Sequence, residues 1–310
     1  MSRITANFLL LLAGFVWGLG FVAQDTAMLY IGPFQFVGFR FALATLVVAP
    51  FAFLEARKLK VRGKFVPFSR IQKLSLFGVG VVFFSMMILQ QIGLLATSVT
   101  NAGMLTGLYV IFVPLIALAV LKERQTIIVW PASLLALGGI WLLGGGGIDQ
   151  FSWGDGLVVA GAIFAAIQVI MIGRLSSWLH RPVAVATIQF AVCAVLSFIG
   201  FGAVQIGGWG LEPAFHLPDL VNALPEIIFA ACFAGGLAFT LQAIAQRHTP
   251  AADAAVLLSS EALFAAIAGA ILLGERLDWL GYLGCTLMLL AIILVAAASA
   301  RFELQNPQEK

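Results

Sequence analysis

The sequence predicts an all-α integral membrane protein in which ten transmembrane helices form two inverted five-helix repeats. Of its 310 residues, 62% are hydrophobic and 10% are charged, against about 45–50% and 25% in soluble domains. The longest hydrophilic stretch, residues 55–73, is too short to fold as a domain. In addition, the two halves of the chain resemble each other at a nearly constant offset. The composition therefore excludes a soluble catalytic or ATPase module, and the internal similarity predicts the repeats.

Ten apolar runs, bounded by Pro, Gly or charged residues, are long enough to cross a bilayer as helices of about 20 residues. The runs are continuously apolar, which argues against a membrane barrel, because barrel strands alternate polar and apolar residues. The predicted helices lie at residues 7–24, 33–54, 74–96, 100–121, 126–143, 154–173, 182–205, 226–246, 250–273 and 279–299.

The basic residues lie almost entirely in alternate connecting segments. With the N-terminus inside, 15 of the 17 Lys and Arg residues fall in cytoplasmic segments, while Arg276 falls in an outer loop and Arg40 within a helix. Cytoplasmic loops of membrane proteins carry an excess of Lys and Arg. The bias therefore predicts a multi-pass membrane protein with both termini in the cytoplasm.

From Leu89 onward, a shift of 152 residues aligns the two halves without a gap, so that Gln90 matches Gln242 and the segment LKER matches LGER. Earlier in the chain the offset is about 149, where the segment from Pro33 matches that from Pro182. Each half contains five predicted helices, an odd number, and the second half therefore enters the membrane from the opposite side. Two repeats of opposite orientation give two nearly equivalent conformations, one open to each side, as alternating access requires. The alternative is that the duplication only stabilises a helical bundle. The first repeat is predicted at 1–147 and the second at 148–310, joined by the linker Gly144–Gly147.

Four segments carry a resemblance to a known family: WGLGFVAQDTAM from Trp17, the P-x6-R spacing of Pro33 and Arg40, GLYVIFVPLIALAVLKER and SSEALFAAIAGAILLGERL. Over nearly its whole length the chain resembles the EamA-type drug/metabolite transporter (DMT) superfamily, and it has the size and layout of the YddG-like aromatic amino acid exporter branch. The resemblance implies ten helices in two inverted repeats that export amino acids, metabolites or drugs across the inner membrane. The family often has Glu-Pro in the second repeat where this chain has Glu261 followed by Ala262, so no proline kink is expected there.

Four residues fall near the middle of their predicted helices: Trp17, Tyr109, Phe164 and Glu261. Trp and Tyr usually collect at the membrane interfaces, so at mid-depth they are either core residues bonded to the backbone or parts of a cavity wall. An ionised carboxylate at this depth usually faces a bundle interior or a water-filled cavity. Because Tyr109 and Glu261 are repeat counterparts, both are predicted to project into one central space. Glu261 is a candidate ligand for substrate or proton, with a structural role as the alternative.

Polar residues matched by the repeat lie on either side of this midplane. Gln90 and Asn101 are toward the outer ends of the third and fourth helices, and Gln242 and Asp253 are toward the inner ends of the eighth and ninth. They are candidates for two gates, although Asn101 and Asp253 also sit in first turns, where such residues cap helices. The candidate substrate-binding residues are Trp17, Phe21, Gln90, Asn101, Tyr109, Phe164, Gln168, Gln242, Ser260 and Glu261.

Arg40 lies about seven residues inside the second predicted helix. One interpretation is that its long side chain snorkels to the outer surface. The other is a buried guanidinium that holds a carboxylate or a backbone carbonyl.

Several function classes are excluded or disfavoured. The sequence has no G-x-x-x-x-G-K-[ST] phosphate loop, which excludes ATP-driven transport by this chain. His180, His216 and His248 form no metal-binding array, and the three cysteines lie inside apolar runs, so no catalytic residue, metal or cofactor is predicted. The basic residues lie between spans rather than in one soluble patch, so no nucleic-acid partner is expected. The expected partners of a monomer are a small-molecule substrate and the lipid bilayer.

These observations predict a secondary transporter, not an enzyme, that exports small amphipathic metabolites by alternating access through a central cavity. Aromatic or neutral amino acids are the best candidates, because aromatic walls would contact apolar side chains and amides would hydrogen-bond a polar head group. The alternatives are a drug or nucleotide-sugar carrier of the same superfamily, or a channel. A channel would require polar or charged rings along a continuous pore.

Overall fold

A computed structural model describes residues 1–146, 151–208, 210, 212–272 and 277–305, except for the side chains at 21, 22, 25, 99, 100, 268–272 and 301–305. All regular structure in this part of the chain is helical, as predicted. The helices are α1 (Arg3–Ala27), α2 (Pro33–Val61), α3 (Arg70–Gly93), α4 (Val99–Thr106), α5 (Tyr109–Ala119), α6 (Val129–Leu143), α7 (Trp153–Leu179), α8 (Pro182–Gly207), α9 (Leu217–Asn222), α10 (Leu224–Phe229), α11 (Ala238–Ala245), α12 (Ala251–Leu258), α13 (Ser260–Leu272) and α14 (Trp279–Gln305), with a π-helical segment (Ala230–Leu237) between α10 and α11.

The helices form ten spans, numbered here in chain order. Span four consists of α4 and α5, span eight of α10, the π-helical segment and α11, and span nine of α12 and α13. The other spans are the single helices α1, α2, α3, α6, α7, α8 and α14. Within the described residues, eight helical runs are long and apolar enough to cross a membrane, and span five is a shorter apolar helix. The predicted boundary between the repeats, at 147 and 148, lies outside the described residues.

Several spans begin where the sequence provides a helix-starting residue. Pro33 and Pro182 occupy the start of α2 and α8, where the missing proline N–H has no intrahelical partner to lose. Ser69 and Ser152 cap α3 and α7 in capping boxes. Both α2 and α7 continue past their predicted ends, α2 to Val61 and α7 through Gly173 to Leu179.

The contacts between spans follow the symmetry of an inverted repeat, in which span one corresponds to span six, two to seven, and so on. Span two packs against span seven and span five against span ten, so each of these pairs joins two counterparts. Span three packs against span six, and the equivalent contact joins spans eight and one. Likewise, span one packs against span nine, and span six against span four. The prediction of two inverted five-helix repeats is confirmed.

Spans four and nine are interrupted at equivalent positions. The interruptions lie at Gly107 and Ser259, which are related by the shift of 152 residues. Hydrogen bonds of the 3₁₀ type cross both: the N–H of Val110 donates to the carbonyl of Gly107 (3.1 Å), and the N–H of Ala262 donates to that of Ser259 (3.2 Å). The interruption in span nine therefore forms without a proline beside Glu261.

Close helix contacts occur at glycines. A Cβ atom added to Gly18 of α1 would lie 2.6 Å from the carbonyl oxygen of Glu261 and 2.9 Å from the backbone nitrogen of Ala265. Gly139 of α6 and Gly284 of α14 meet in the same way, each with the other's carbonyl oxygen 2.7 Å from an added Cβ. The absence of a side chain at Gly18 thus brings α1 directly against the start of α13.

Candidate substrate-binding cavity

A small cavity lies between the two halves, with walls from spans one, two, three, four, six, eight and nine. Its volume is about 60 Å³, which leaves room for about four water molecules. The lining residues are Trp17, Gln24, Arg40, Met86, Met87, Gln90, Thr106, Tyr109, Ala165, Gln168, Val169, Ala234, Phe239, Gln242, Leu258 and Glu261. Six of the ten candidate binding residues are in this set: Trp17, Gln90, Tyr109, Gln168, Gln242 and Glu261. Their role in binding stays a prediction.

Trp17 forms an aromatic wall of the cavity together with Phe239. The two rings are 4.5 Å apart between centroids, and the indole Nε1 donates to the carbonyl of Ala234 at 2.8 Å. Phe239 in turn contacts Phe83 edge to face at 4.8 Å. Trp17 therefore combines the two roles considered from the sequence, because its N–H bonds the backbone while its ring faces the cavity. Ala234 lies in the π-helical segment, a type of distortion that is frequent at functional sites.

Tyr109 and Glu261 occupy equivalent places at the start of α5 and in the first turn of α13, and both line the cavity. They are 4% and 7% exposed. The Tyr109 hydroxyl lies beside the Glu261 carboxyl, but it makes no hydrogen bond of regular geometry with any described residue. The repeat thus brings a phenol and a carboxyl together in the central space, as the pairing of counterparts predicted.

Glutamine side chains form a hydrogen-bonded row across the second half. Gln242 Nε2 donates to Gln168 Oε1 at 3.2 Å, and Gln168 Nε2 donates to Gln189 Oε1 at 3.3 Å. Gln90 of the first half donates instead to the Thr106 hydroxyl at 2.8 Å. Among the described residues the buried Oε1 of Gln242 has no donor. The row therefore leaves one acceptor at the cavity for a ligand or a water molecule.

Arg40 is buried at the cavity and does not snorkel to the surface. Its side chain is 3% exposed, because the rings of Phe41 and Phe36 lie 4.9 and 5.8 Å from its guanidinium carbon. Its Nη1 donates to Gln24 Oε1 at 3.2 Å. The first interpretation of Arg40 is thus wrong, and its guanidinium holds a side-chain amide rather than the carboxylate or backbone carbonyl of the second.

Ten of the described lining residues were not among the candidates, although helical periodicity gave a signal for two of them. Gln24 follows Trp17 by seven positions on α1, and Phe239 precedes Gln242 by three positions on α11. Residues at these spacings share one face of a helix. Extending each candidate along its own helix face would have found both residues.

Three of the remaining four candidates, Asn101, Phe164 and Ser260, are not among the described lining residues. Asn101 lies in the first turn of α4, where its N–H donates to the capping hydroxyl of Ser98 at 3.1 Å, so Ser98 and not Asn101 caps this helix. Phe164 is half-buried on α7. Ser260 is fully buried, with its hydroxyl against Gly14 of α1. The side chain of Phe21 lies outside the described residues.

On the predicted cytoplasmic side, a wide vestibule of about 990 Å³ opens between the N-terminus and spans four, six, eight and nine. Its wall includes the basic side chains Arg3, Arg174 and Arg247. The vestibule and the cavity share no lining residue in the described part of the chain.

The layer between the vestibule and the cavity is held by polar contacts. Arg3 forms an ion pair with Asp253 at 3.2 Å, which joins α1 to α12. Gln246 Nε2 donates to the carbonyl of Val169 at 2.9 Å, which joins α11 to α7. The predicted inner gate residue Asp253 thus ties two spans rather than capping its helix.

On the opposite side of the cavity, which is predicted to face outward, two carboxylates hold segments from different spans together. Glu212, after α8, accepts hydrogen bonds from the N–H groups of Phe34 and Gln35 in the first turn of α2, the latter at 3.1 Å. Burial raises the pKa of Glu212 to about 7, although these hydrogen bonds oppose the shift. Asp155 of α7 accepts a hydrogen bond from the Thr97 hydroxyl, just before α4. Polar contacts therefore join neighbouring spans on both sides of the cavity.

Two five-helix halves around a central polar and aromatic cavity define a multi-pass membrane transporter. The chain belongs to the EamA-like transporter family, whose sequence profile matches residues 4–145 and again 152–297. This confirms the resemblance to the drug/metabolite transporter superfamily.

The chain is also similar to individual transporters. A protein from Archaeoglobus fulgidus described as an uncharacterized transporter is 30% identical over 96% of this chain and 87% of its own length. The uncharacterized transporter YwfM of Bacillus subtilis is 26% identical over 94% of both chains. The threonine/homoserine exporter RhtA of Salmonella typhimurium is 30% identical over 63% of this chain and 62% of its own. A solved crystal structure matches 97% of this chain and 100% of its own with a TM-score of 0.72 at 16% identity, which supports the fold alone.

Proposed function

We propose that this protein is a secondary transporter of the inner membrane that exports neutral amino acids, aromatic ones among them, by alternating access through the central cavity. It acts as a monomer with both termini in the cytoplasm. The observation that carries the proposal is the mixed chemistry of the cavity, in which one wall is aromatic and the others carry amides, a phenol and a carboxyl. An amino acid has a matching division into an apolar side chain and a polar head group.

The relative RhtA supports this class of cargo. It is named as an exporter of threonine and homoserine, and its similarity extends over 63% of this chain. Both amino acids are small and neutral overall. The ring pair of Trp17 and Phe239 extends the expected range to aromatic side chains, which gain from contacts with aromatic walls.

The size of the cavity supports an alternating mechanism. Its volume of about 60 Å³ is far below the 300–1,000 Å³ of typical ligand sites. Admission of an amino acid therefore requires the interrupted spans four and nine to move away from the cavity. Breaking the contacts of Arg3 or Gln246 would open the cavity to the vestibule, and breaking those of Glu212 or Asp155 would open it to the opposite side.

Two other functions fit these features less well. A nucleotide sugar carries several phosphate charges, whereas Arg40 is the one basic residue in the described lining and Glu261 opposes it. A channel needs a continuous path, but the cavity and the vestibule share no lining residue in the described part of the chain.

The test is counterflow into proteoliposomes with threonine, homoserine, phenylalanine, a lipophilic cation such as tetraphenylphosphonium, and UDP-glucose. We expect exchange of the amino acids only. Trp17→Ala should raise the phenylalanine concentration for half-maximal flux about three- to tenfold, as expected for loss of an aromatic contact. The matched control is Trp279→Ala, because Trp279 on α14 is 72% exposed and should leave flux unchanged. Flux of the cation or of UDP-glucose without flux of any amino acid would overturn the proposal.

A further inference from the structure

Two buried side chains of opposite charge line the cavity without forming an ion pair with each other. Arg40 on α2 and Glu261 on α13 are both more than nine-tenths buried, and both belong to the cavity wall. Neither takes part in an ion pair among the described residues. Isolated buried charges are costly, so a cavity that keeps two of them apart is suited to a ligand that meets both.

Arg40 has unused hydrogen-bonding capacity. A guanidinium carries five N–H donors, and the protein uses Nη1 for Gln24 at 3.2 Å. The Nε–H is buried without an acceptor among the described residues. The rings of Phe36 and Phe41 hold the guanidinium by cation–π contact, which satisfies none of its donors. A planar fork of this kind matches the two oxygens of a carboxylate.

Glu261 offers hydrogen-bond acceptors, the complement of the free donors of Arg40. Its carboxyl lies beside the Tyr109 hydroxyl, which itself has no regular hydrogen bond within the described chain. The Gln242 Oε1 is a second free acceptor at the cavity. An ammonium group carries three donors and no acceptor, so it fits this end of the cavity.

The depths of the two charges suit one small ligand. Arg40 follows the start of α2 by seven residues, about 10 Å, and Glu261 follows the start of α12 by ten residues, about 15 Å. In the predicted topology these helices start at opposite faces of a core about 30 Å thick. The two residues then differ by about 5 Å in depth along the membrane normal, so one small ligand in the cavity lies at nearly the same depth as both.

We infer that Arg40 and Glu261 form a two-ended site that selects zwitterions: Arg40 binds the α-carboxylate of the cargo, and Glu261 binds its α-ammonium. This inference rests on the proposed function and names the charge class of its substrate. The cargo side chain then lies along Trp17 and Phe239. A ligand with both charges neutralises both ends, whereas a ligand with one leaves the other buried charge unpaired, which weakens binding.

The test uses three ligands that share a phenylethyl skeleton and differ in the charged groups they carry: phenylalanine has both, 2-phenylethylamine has only the ammonium, and 3-phenylpropionate has only the carboxylate. Each competes with the amino acid that gives the strongest counterflow in proteoliposomes, and its inhibition constant is measured at pH 7. For the wild-type protein we expect phenylalanine to bind at least about tenfold more tightly than either analogue. Binding of either analogue as tight as that of phenylalanine would overturn the two-ended site without any variant.

Two variants then assign the ends. Glu261→Gln should abolish the preference for phenylalanine over phenylpropionate while keeping the preference over phenylethylamine, and Arg40→Gln should do the reverse. Matched controls are Glu55→Gln, a half-buried carboxylate that accepts the N–H of Ala184, and Arg181→Gln, a guanidinium 4.3 Å from the ring of Phe68. Neither control residue lines the cavity, and both variants should keep the wild-type ranking.

The outcomes separate this inference from the proposed function. If amino acids exchange but Arg40→Gln and Glu261→Gln weaken all three ligands by the same factor, the two-ended site is wrong and amino acid transport stands. If no amino acid exchanges, the proposed function fails. Folding is checked by size-exclusion chromatography in detergent, and if a variant aggregates, the wild-type ranking of the three ligands decides the question.

Discussion

At Gly18 the backbones of α1 and α13 are in direct contact, since an added Cβ would lie 2.6 Å from the carbonyl oxygen of Glu261. Backbone atoms cannot move aside as the end of a flexible side chain can. A methyl group at this position would therefore displace the start of α13 and with it the carboxyl at the cavity.

We expect Gly18→Ala to lower stability by about 1–3 kcal/mol, the usual cost of overpacking, and to raise the substrate concentration for half-maximal flux. Gly103→Ala is the matched control, because no described atom lies within 4 Å of its added Cβ and Ala favours a helix over Gly. Thermal unfolding in detergent and counterflow measure both effects. Equal melting temperatures and flux for the two variants would contradict close packing at Gly18.

Tyr109 offers a second test, because its buried hydroxyl lacks a regular hydrogen bond in the described chain. Tyr109→Phe removes that hydroxyl and keeps the ring, so we expect an unchanged or slightly higher melting temperature. If the hydroxyl binds cargo, apparent affinity should fall by up to about tenfold, the range of one hydrogen bond. A loss of stability without a change in affinity would assign Tyr109 to the core instead. Tyr282→Phe on the exposed part of α14 is the control.

For individual residues, the position along a helix was predictable from the sequence, whereas the direction in which the side chain points was not. Position along an apolar run placed Trp17, Tyr109 and Glu261 at mid-span, because a helix rises by a constant 1.5 Å per residue. The side to which Phe164 or Arg40 points depends on which helices pack around α7 and α2. That packing is tertiary information, and the residues alone do not contain it.

Among the elements, the start of α2 is held by a residue from a distant part of the chain. Glu212 accepts N–H groups from Phe34 and Gln35, which have no intrahelical partners. Burial raises its pKa from the ordinary value of 4.5 to about 7. Between these two values the folded chain retains a proton that the unfolded chain has released, so stability falls as pH rises through this window.

We therefore expect the melting temperature of the wild-type protein to fall more between pH 5 and pH 8 than that of Glu212→Gln, which cannot titrate. Asp219→Asn in the neighbouring helix α9 should keep the wild-type pH dependence. Parallel pH profiles for wild type and Glu212→Gln would show that this carboxyl titrates with its ordinary pKa.

The interruptions of spans four and nine could not be predicted from local sequence. Neither Gly107 nor Ser259 is next to a proline, and each span reads as one continuous apolar run. The interruptions form where span four packs against span six and span nine packs against span one, in each case from the opposite half. A sequence window of one helix does not contain that contact.

For the whole molecule, the distribution of basic residues allows the topology to be tested. In a background without Cys193, Cys232 and Cys285, single cysteines at Ser69 and Lys122 should resist an impermeant thiol reagent added to intact cells. Single cysteines at His216 and Asp278 should react.

All four positions are exposed, so protection would reflect the side of the membrane and not burial. Permeabilised cells provide the control, because all four cysteines should then react. Labelling of Ser69→Cys in intact cells would contradict both the ten-span count and the cytoplasmic N-terminus.

The number of spans and the repeat were predictable because both follow from long apolar runs and polar matches such as Gln90 with Gln242. The short helix α9 and the π-helical segment were not, since the first lies in a connection and the second reads as ordinary apolar helix.

The symmetric contacts divide the molecule into a stationary frame and a moving part. When the two halves exchange conformations, the contact between spans one and nine takes the geometry of its repeat equivalent between spans six and four, and the reverse. The contacts of span two with seven and of span five with ten map onto themselves, so they need not break.

A short bifunctional thiol reagent should then arrest transport when it links Phe15→Cys with Phe264→Cys, whose native rings are 5.3 Å apart. The same reagent should leave transport intact when it links Gly138→Cys with Leu287→Cys across α6 and α14, where a Cβ atom added to Gly138 would lie 3.8 Å from Leu287 Cδ1. Arrest by both links would mean that the protein has no such frame. Arrest by the first link alone would show that the contacts of span two with seven and of span five with ten stay fixed while the rest of the carrier moves.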